Sequence, residues 1–148
     1  MSSVLIIFGS TGGNTELVCD KVSEVLIQNK HSVTIKRAEQ TALTDLEGFD
    51  VLVFASSTYG QGLLQDYIEP IYFEIKKIGL KGKKCTVIGL GDNKYNVEYV
   101  VEAARILENM VKDSGGELVI PPLRINKTPV TQLNTTINDW AQNLSKAI

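Results

Sequence analysis

The strongest constraint on the fold is the alternation of short apolar runs with amphipathic helical patterns along the 148 residues. Strand patterns lie at residues 4–8, 32–36, 51–55, 86–90 and 118–120, with helical patterns between them. Strands that alternate with helices form a parallel sheet covered on both faces. We therefore expect an α/β fold: a single domain spanning residues 1–148, built as a doubly wound three-layer sandwich around a five-stranded parallel sheet.

The strand sequences also predict the order of the sheet. The first, third and fourth strands are nearly continuous apolar runs, which is typical of central strands. The second alternates polar and apolar residues, and the fifth is followed by Pro121 and Pro122, which cannot donate to a central ladder. Both therefore belong at edges. Right-handed crossovers then give the order 2-1-3-4-5.

The helical patterns each have an apolar stripe that we expect to face the core. The predicted second helix covers residues 67–77 with Pro70 in its first turn, and the last is predicted to begin with Thr128 as N-cap and Pro129 in its first turn. The stripes of the first, third and last helices are, in turn, Val18, Val22, Val25 and Leu26; Val100, Ala104, Leu107 and Val111; and Val130, Leu133, Ile137, Trp140 and Leu144.

Composition excludes several classes of protein. The apolar runs are too short to cross a bilayer, and residues 1–10 have no basic segment or long apolar stretch, so we expect a cytoplasmic protein with no membrane association. A net charge of −2 is not the basic footprint of a nucleic-acid binder. Cys19 and Cys85 have no metal-binding spacing and are expected to be semi-buried thiols, and His31 a loop residue, so no metal site is predicted.

Three loops should meet at the carboxyl edge of the sheet, where ligands bind in this class of fold. They cover residues 9–15, 56–66 and 89–99. The first, GSTGGNT, brings hydroxyls, glycines and backbone N–H groups to the start of a helix, which suits an anion. It lacks the lysine of GxxxxGK[ST] and the spacing of GxGxxG, so a phosphate monoester is favoured. The alternative is a capped helix start behind a glycine turn.

Aromatic side chains are present in both of the other loops, Tyr59 in the second and Tyr95 in the third. Tyr59 and Tyr95 could cover the two faces of a planar apolar ring system by stacking. The alternative is that both are ordinary surface tyrosines.

The motifs GSTGGNTE, SSTYGQGLLQD and GLGDNKYNVEY occur in this order, and LRINKTP leads into the last helix. Together they resemble the flavodoxin family over essentially the whole chain. The uninterrupted stretch GELVIPPLRI, read as one fifth strand, resembles the short-chain branch of that family. The resemblance implies the flavodoxin-like fold and non-covalently bound flavin mononucleotide (FMN).

The resemblance also implies roles for individual residues. The phosphate would be held by Ser10, Thr11, Gly12, Gly13, Asn14 and Thr15. Ser57 and Thr58 would lie along the ribityl chain and ring edge, with Tyr59 on one face of the ring and Tyr95 on the other. The polar edge of the ring would meet backbone groups of Gly60, Gln61, Gly91 and Asp92, and Leu90 completes the set.

Four positions depart from the family pattern. Gly12 stands where threonine is usual, Tyr59 where tryptophan is more common and Gln61 where an acid is frequent, while Lys94 neighbours Tyr95. These departures put the strength of phosphate binding and the usual acidic surroundings of the flavin in question.

The function that the resemblance implies is low-potential electron transfer, one electron at a time, between a reductase and acceptor enzymes. Such a carrier would be a monomer, without catalytic residues of its own, and would dock transiently with redox proteins at the FMN rim. The alternative on the same fold is an FMN-dependent quinone reductase. A phosphoacceptor receiver domain is disfavoured because Gly9 and Ser10 stand where acids are needed after the first strand, and Ala55 and Ser56 where an aspartate should end the third.

Overall fold

The computed structural model describes residues 1–10, 12–59, 62–92 and 101–148. The strands are β1 (Ser3–Gly9), β2 (Ser32–Arg37), β3 (Val51–Tyr59), β4 (Leu63–Leu64), β5 (Lys84–Gly91), β6 (Glu117–Leu118) and β7 (Leu123–Asn126). The α-helices are α1 (Asn14–Gln28), α2 (Glu69–Ile78), α3 (Glu102–Asp113) and α4 (Asn138–Ala147). Short 3₁₀ turns cover Ala38–Gln40, Leu43–Gly48 and Val130–Gln132.

The sheet confirms the predicted strand order. Strands β2, β1, β3 and β5 lie side by side in parallel, and β6 and β7 both pair in parallel with the outer edge of β5. The sequence pattern had not predicted β4, a short strand antiparallel to the end of β3. Strand β3 is also four residues longer than its apolar run, so residues 56–59 reach the carboxyl edge as strand rather than as loop.

Side chains of the central strands point alternately into two cores, one on each face of the sheet. Val4, Ile6 and Phe8 of β1 pack with helices α1 and α4. Leu5 and Ile7 pack on the other face with α2 and α3. Strand β1 is therefore buried on both sides, which accounts for its continuous apolar sequence.

The fifth strand is interrupted, contrary to its prediction as one stretch through residues 118–120. Its two parts, β6 and β7, are separated by residues 119–122. Val119 still donates to the Cys85 carbonyl at 2.9 Å, but the two prolines that follow have no N–H to continue the ladder. The pairing resumes with Leu123 beside Ile88.

The last helix does not begin as predicted. After Pro129 the chain forms a 3₁₀ turn and then a π-helical turn over Leu133–Ile137, and regular α-helix begins only at Asn138. Because a π turn holds more residues than an α turn, it puts the preceding residues out of phase with the core stripe. Val130, predicted in the core, is consequently 61% exposed.

The apolar stripe predicted for α1 is buried, and so are Ala104, Leu107 and Val111 of α3. The stripe of the last helix is buried only in part. Ile137 and Leu144 are in the core, whereas Leu133 and Trp140 are only partly buried, and the Trp140 indole N–H donates to the Pro121 carbonyl at 2.9 Å. Pro70 lies in the first turn of α2 as predicted. The prediction for Val100 falls outside the described residues.

His31 and the two cysteines are more buried than the sequence indicated. His31 is not a free loop residue: its Nδ1 accepts the Ser2 N–H at 3.0 Å and its Nε2 lies 3.1 Å from Ser145 Oγ. Cys19 and Cys85 are fully buried, and burial raises the pKa of both thiols. Both therefore stay protonated, as structural thiols do. Within the described ranges, no helix is long and apolar enough to cross a bilayer.

Helix α3 approaches β5 so closely that Gly89 cannot carry a side chain. A Cβ at Gly89 would lie 2.5 Å from the backbone nitrogen of Ala104. We expect Gly89→Ala to lower the free energy of unfolding by about 2 kcal/mol or more, since overpacking a rigid contact costs this much. Urea unfolding measures it. Gly48→Ala is the control, because its Cβ would meet nothing within 4 Å; an equal effect of both substitutions would contradict the prediction.

Candidate functional site

A cavity of about 340 Å³ opens at the carboxyl edge of the sheet. Its walls come from the chain segments at the ends of β1, β3, β5 and β7, so it lies at the edge where the three predicted loops were expected to meet. The residues that line it are Ser10, Gly12, Asn14, Thr15, Ser57, Thr58, Tyr59, Leu90, Gly91, Asp92, Lys127 and Thr128. Ten of these twelve belong to the set predicted from sequence.

The segment between β1 and α1 forms one wall of this cavity. Ser10 is buried, and its Oγ accepts the backbone N–H of Gly13 at 3.0 Å. Gly13 has φ +87°, a conformation that glycine adopts without steric cost, and its carbonyl accepts the Leu17 N–H that begins α1. The turn thus places the start of α1, where backbone N–H groups and the helix dipole favour an anion, against the cavity.

Thr15 has a buried hydroxyl without a partner in the part of the chain that the structure describes. Its side chain is 1% exposed and lines the cavity, and among the described residues its Oγ1 is one of two buried side-chain oxygens that make no hydrogen bond. A buried hydroxyl left unpaired costs about 1–3 kcal/mol. A phosphate oxygen in the cavity would satisfy it, so the donors present fit a phosphate group.

Gly12 also lines the cavity, and a Cβ there would meet nothing within 4 Å. The backbone at this position therefore has room for the threonine that is usual in the resembled family. The absence of a hydroxyl at position 12 reflects the residue type and not a steric restriction.

The end of β3 supplies the wall next to the first loop. Ser57, Thr58 and Tyr59 are all half-buried and line the cavity. Thr58 Oγ1 accepts the backbone N–H of Ala103 at 3.0 Å, so this hydroxyl joins β3 to the start of α3. It can still donate its own hydrogen to a ligand.

Two further hydrogen bonds support this wall from behind. The hydroxyl of Ser56 donates to the Ser57 carbonyl at 2.8 Å and accepts the Gln65 N–H at 3.0 Å. The Gln65 side chain in turn accepts the Tyr67 N–H at 2.8 Å. Gln65 and Tyr67 are thereby tied to the end of β3.

The far wall includes two residues that the sequence analysis missed, Lys127 and Thr128. They follow β7, which lies beside the end of β5, and the Lys127 N–H donates to the Gly91 carbonyl at 2.8 Å. Lys127 has φ +72°, so the chain turns sharply there. Only the register of β7 against β5 brings these residues to the cavity, whereas the motif LRINKTP by itself indicates only the lead into the last helix.

Four of the predicted site residues, Thr11, Gly60, Gln61 and Tyr95, lie outside the described residues, as does Lys94. Gly13 shapes the first loop without lining the cavity. Leu90, Gly91 and Asp92 are on the wall as expected.

A larger cavity, of about 500 Å³, lies at the opposite edge of the sheet. It is bounded by the starts of β3 and β5 and by residues 43–50 and 78–84, including Leu46, Phe49 and Lys83. The Lys83 ammonium already donates to the carbonyls of Glu47 and Phe49. Size alone therefore does not identify the functional site; the smaller cavity has the helix N-terminus and the unpaired hydroxyl.

Comparison with known proteins gives one family. The family described as Flavodoxin matches residues 6–140. A flavodoxin of Maridesulfovibrio salexigens is 34% identical, covering 87% of this chain and 89% of its own, and one of Nitratidesulfovibrio vulgaris is 31% identical over 100% of both. Among solved structures, oxidised flavodoxin 2 of Bacillus cereus superposes with a TM-score of 0.90 at 28% identity, covering 99% of both chains.

Thr15→Val tests whether the unpaired hydroxyl serves a ligand. We expect the substitution to raise the free energy of unfolding of the ligand-free protein by about 1 kcal/mol, because it removes an unsatisfied polar group, and to weaken stabilisation by inorganic phosphate. Urea unfolding with and without phosphate measures both effects.

Thr86→Val is the matched control. Thr86 is equally buried, but its hydroxyl donates to the Ile120 carbonyl at 3.2 Å. The same substitution there should destabilise the protein and leave the phosphate effect unchanged. Destabilisation by both substitutions would show that the Thr15 hydroxyl has a partner within the protein.

Proposed function

Because the chain belongs to the flavodoxin family, we propose that the cavity at the carboxyl edge holds FMN and that the protein carries single electrons with it. The observation that carries the proposal is the buried Thr15 hydroxyl at the start of α1, which has no partner among the described residues and follows the turn at Gly13. When bound, FMN supplies the one-electron redox chemistry. The protein supplies binding, orientation and local electrostatics.

The first loop would hold the phosphate. Ser10, Gly12, Asn14 and Thr15 offer hydroxyl, amide and backbone donors on one wall, and Gly13 sets the direction of the helix behind them. Thr11 completes this group as an expectation from the family. No described residue of this wall is cationic, so neutral donors and the helix N-terminus would carry the phosphate charge.

The remaining walls would hold the ribityl chain and the ring. Ser57 and Thr58 line the cavity at the end of β3, next to the first loop. Tyr59 has the half-buried aromatic surface that stacking needs. Leu90, Gly91 and Asp92 would approach the ring from β5, with Gly60, Gln61 and Tyr95 as further family-based expectations. Aromatic and apolar cover would exclude water from the ring and so help set its reduction potential.

The role is that of an electron carrier rather than an enzyme, as in the relatives of this chain. Its partners are redox proteins. We place their docking at the rim of the cavity, where Leu63, the strand partner of the cavity residue Tyr59, is 58% exposed. A small contact there suits partners that must separate after each transfer. A reductase as donor, enzymes as acceptors, a monomeric state and a cytoplasmic location are parts of the same proposal.

The direct test is the visible spectrum of the purified protein during a dithionite titration. We expect a flavin spectrum and a one-electron-reduced form that persists midway, because a ring covered by aromatic and apolar groups disfavours the charged, fully reduced flavin. Absence of flavin after reconstitution with FMN would contradict the proposal. Rapid NADH oxidation without any added reductase would instead favour the quinone reductase alternative.

Lys127 gives a second prediction, on the reduction potential. Lys127 lines the cavity beside Gly91, on the side proposed for the ring and across the sheet from residues 10–15, which we call the phosphate loop. At about 8 Å and an effective dielectric of about 40, a unit charge contributes roughly 1 kcal/mol, or about 40 mV for one electron. Lys127→Gln should therefore make the potential of the second electron more negative by about this amount.

Lys30→Gln is the control for Lys127→Gln. Lys30 is also an exposed lysine at positive φ, +75°, but it follows α1 at the opposite edge of the sheet. Spectroelectrochemistry of both variants should show a shift for Lys127 alone. Equal shifts would mean that net charge, and not the position of Lys127, is responsible.

A further inference from the structure

Arg37, the last residue of β2, contacts the phosphate loop from outside the cavity. Its Nη2 donates to the backbone carbonyl of Ser10 at 3.1 Å. The cavity wall does not include Arg37, so the carbonyl that it holds is drawn to the outer side of the loop. The Ser10 carbonyl oxygen then does not oppose an anion that is held by the donors of Gly12, Asn14 and Thr15.

The guanidinium is fixed by three further contacts. It lies 5.2 Å from the centre of the Phe8 ring, which is its register partner on β1. Its Nη1 is 3.3 Å from Glu16 Oε1, and its Nε is 3.4 Å from Glu39 Oε2. A planar, five-donor group suits such a site, because one side chain can stack and donate in several directions at once.

Arg37 also acts on the loop through Ser10. The same residue whose carbonyl accepts from Arg37 accepts the Gly13 N–H with its hydroxyl. Holding Ser10 therefore holds the turn at Gly13, from which α1 begins. This connects an edge strand to the residues that face the phosphate.

The negative charges at the start of α1 would repel a bound phosphate unless a cation lies close to them. Glu16 lies in the first turn, and Asp20 lies one turn further, with its pKa raised by partial burial and then by the charge of Glu16. Carboxylates here repel a bound phosphate dianion. Arg37 is the cation that pairs with Glu16 among the described residues, and it keeps this repulsion low.

We propose that Arg37 is a positioning residue for phosphate: it orients the Ser10 carbonyl outward and offsets the charge of Glu16, so that the loop selects FMN over uncharged flavin. The inference rests on the proposed function, since it assumes that the ligand carries a phosphate monoester. No family motif in the sequence pointed to position 37.

Lys36 provides a matched control on the same strand. Its side chain is 35% exposed, as is that of Arg37, but it lies on the other face of the sheet and pairs with Asp45 at 3.0 Å. Lys36→Gln and Arg37→Gln change the net charge equally. Only the second removes a contact to the phosphate loop.

The experiment titrates the ligand-free full chain with FMN and with riboflavin, following flavin fluorescence. For Arg37→Gln we expect FMN to bind about tenfold more weakly, the value of a charge-assisted contact, and riboflavin to change by less than about twofold, as for an ordinary surface substitution. Lys36→Gln should change neither. Arg37→Lys should recover part of the FMN affinity, because it keeps the charge but not the fork.

Two further measurements separate the alternatives. Inorganic phosphate should raise the urea midpoint of the wild-type protein and do so less for Arg37→Gln, which tests the loop without the ring. In a double-mutant cycle, Arg37→Gln should weaken FMN binding less when Glu16→Gln is present, because the repulsion that Arg37 offsets has gone.

The outcomes that overturn the inference are distinct from failure of the proposed function. Equal weakening of FMN and riboflavin, with an unchanged phosphate effect, would make Arg37 a structural residue only. If the effects of Arg37→Gln and Glu16→Gln on the free energy of FMN binding are additive, Arg37 does not offset the charge of Glu16. If the wild-type chain binds no FMN, the proposed function fails and this inference fails with it. If it binds FMN and Arg37→Gln leaves the affinity for FMN unchanged, the inference alone fails.

Discussion

The structure depends on the burial of β1, β3 and β5 on both faces of one parallel sheet. Because their side chains alternate between two cores, each strand is held in register from both sides, and a slip by one residue would exchange the cores. The parallel direction brings every carboxyl end to the same edge. The polar segments after these strands then meet at one cavity, although they are far apart in sequence.

At the carboxyl edge of the sheet, hydrogen bonds to side-chain hydroxyls fix the backbone around the cavity. The Ser10 hydroxyl holds the Gly13 turn, Thr58 holds the start of α3, and Ser56 holds the backbone at Gln65. These hydroxyls serve the protein, whereas that of Thr15 has no partner among the described residues. The contrast separates residues that build the site from the one most clearly left for a ligand.

Much of this was predictable from sequence for a simple physical reason. Strand and helix periods in β1, α1 and β3 reflect burial directly, and glycine with hydroxyl residues before α1 indicates an anion site at a helix start. The predictions that were wrong concern the phase of the apolar stripe in the last helix and the extent of the fifth strand. Val130 lost its place in the core because a π turn shifted the phase of the last helix, and Pro121 and Pro122 divided the fifth strand.

The sequence by itself determined the fold class, the strand order and most of the site, because each depends on which residues are apolar and where turns must occur. Only the tertiary structure decided that Lys127 and Thr128 reach the cavity and that Arg37 donates to the Ser10 carbonyl. Those contacts depend on the register of β7 against β5 and of β2 against β1. Register follows from the packing of the whole sheet, which no local pattern encodes.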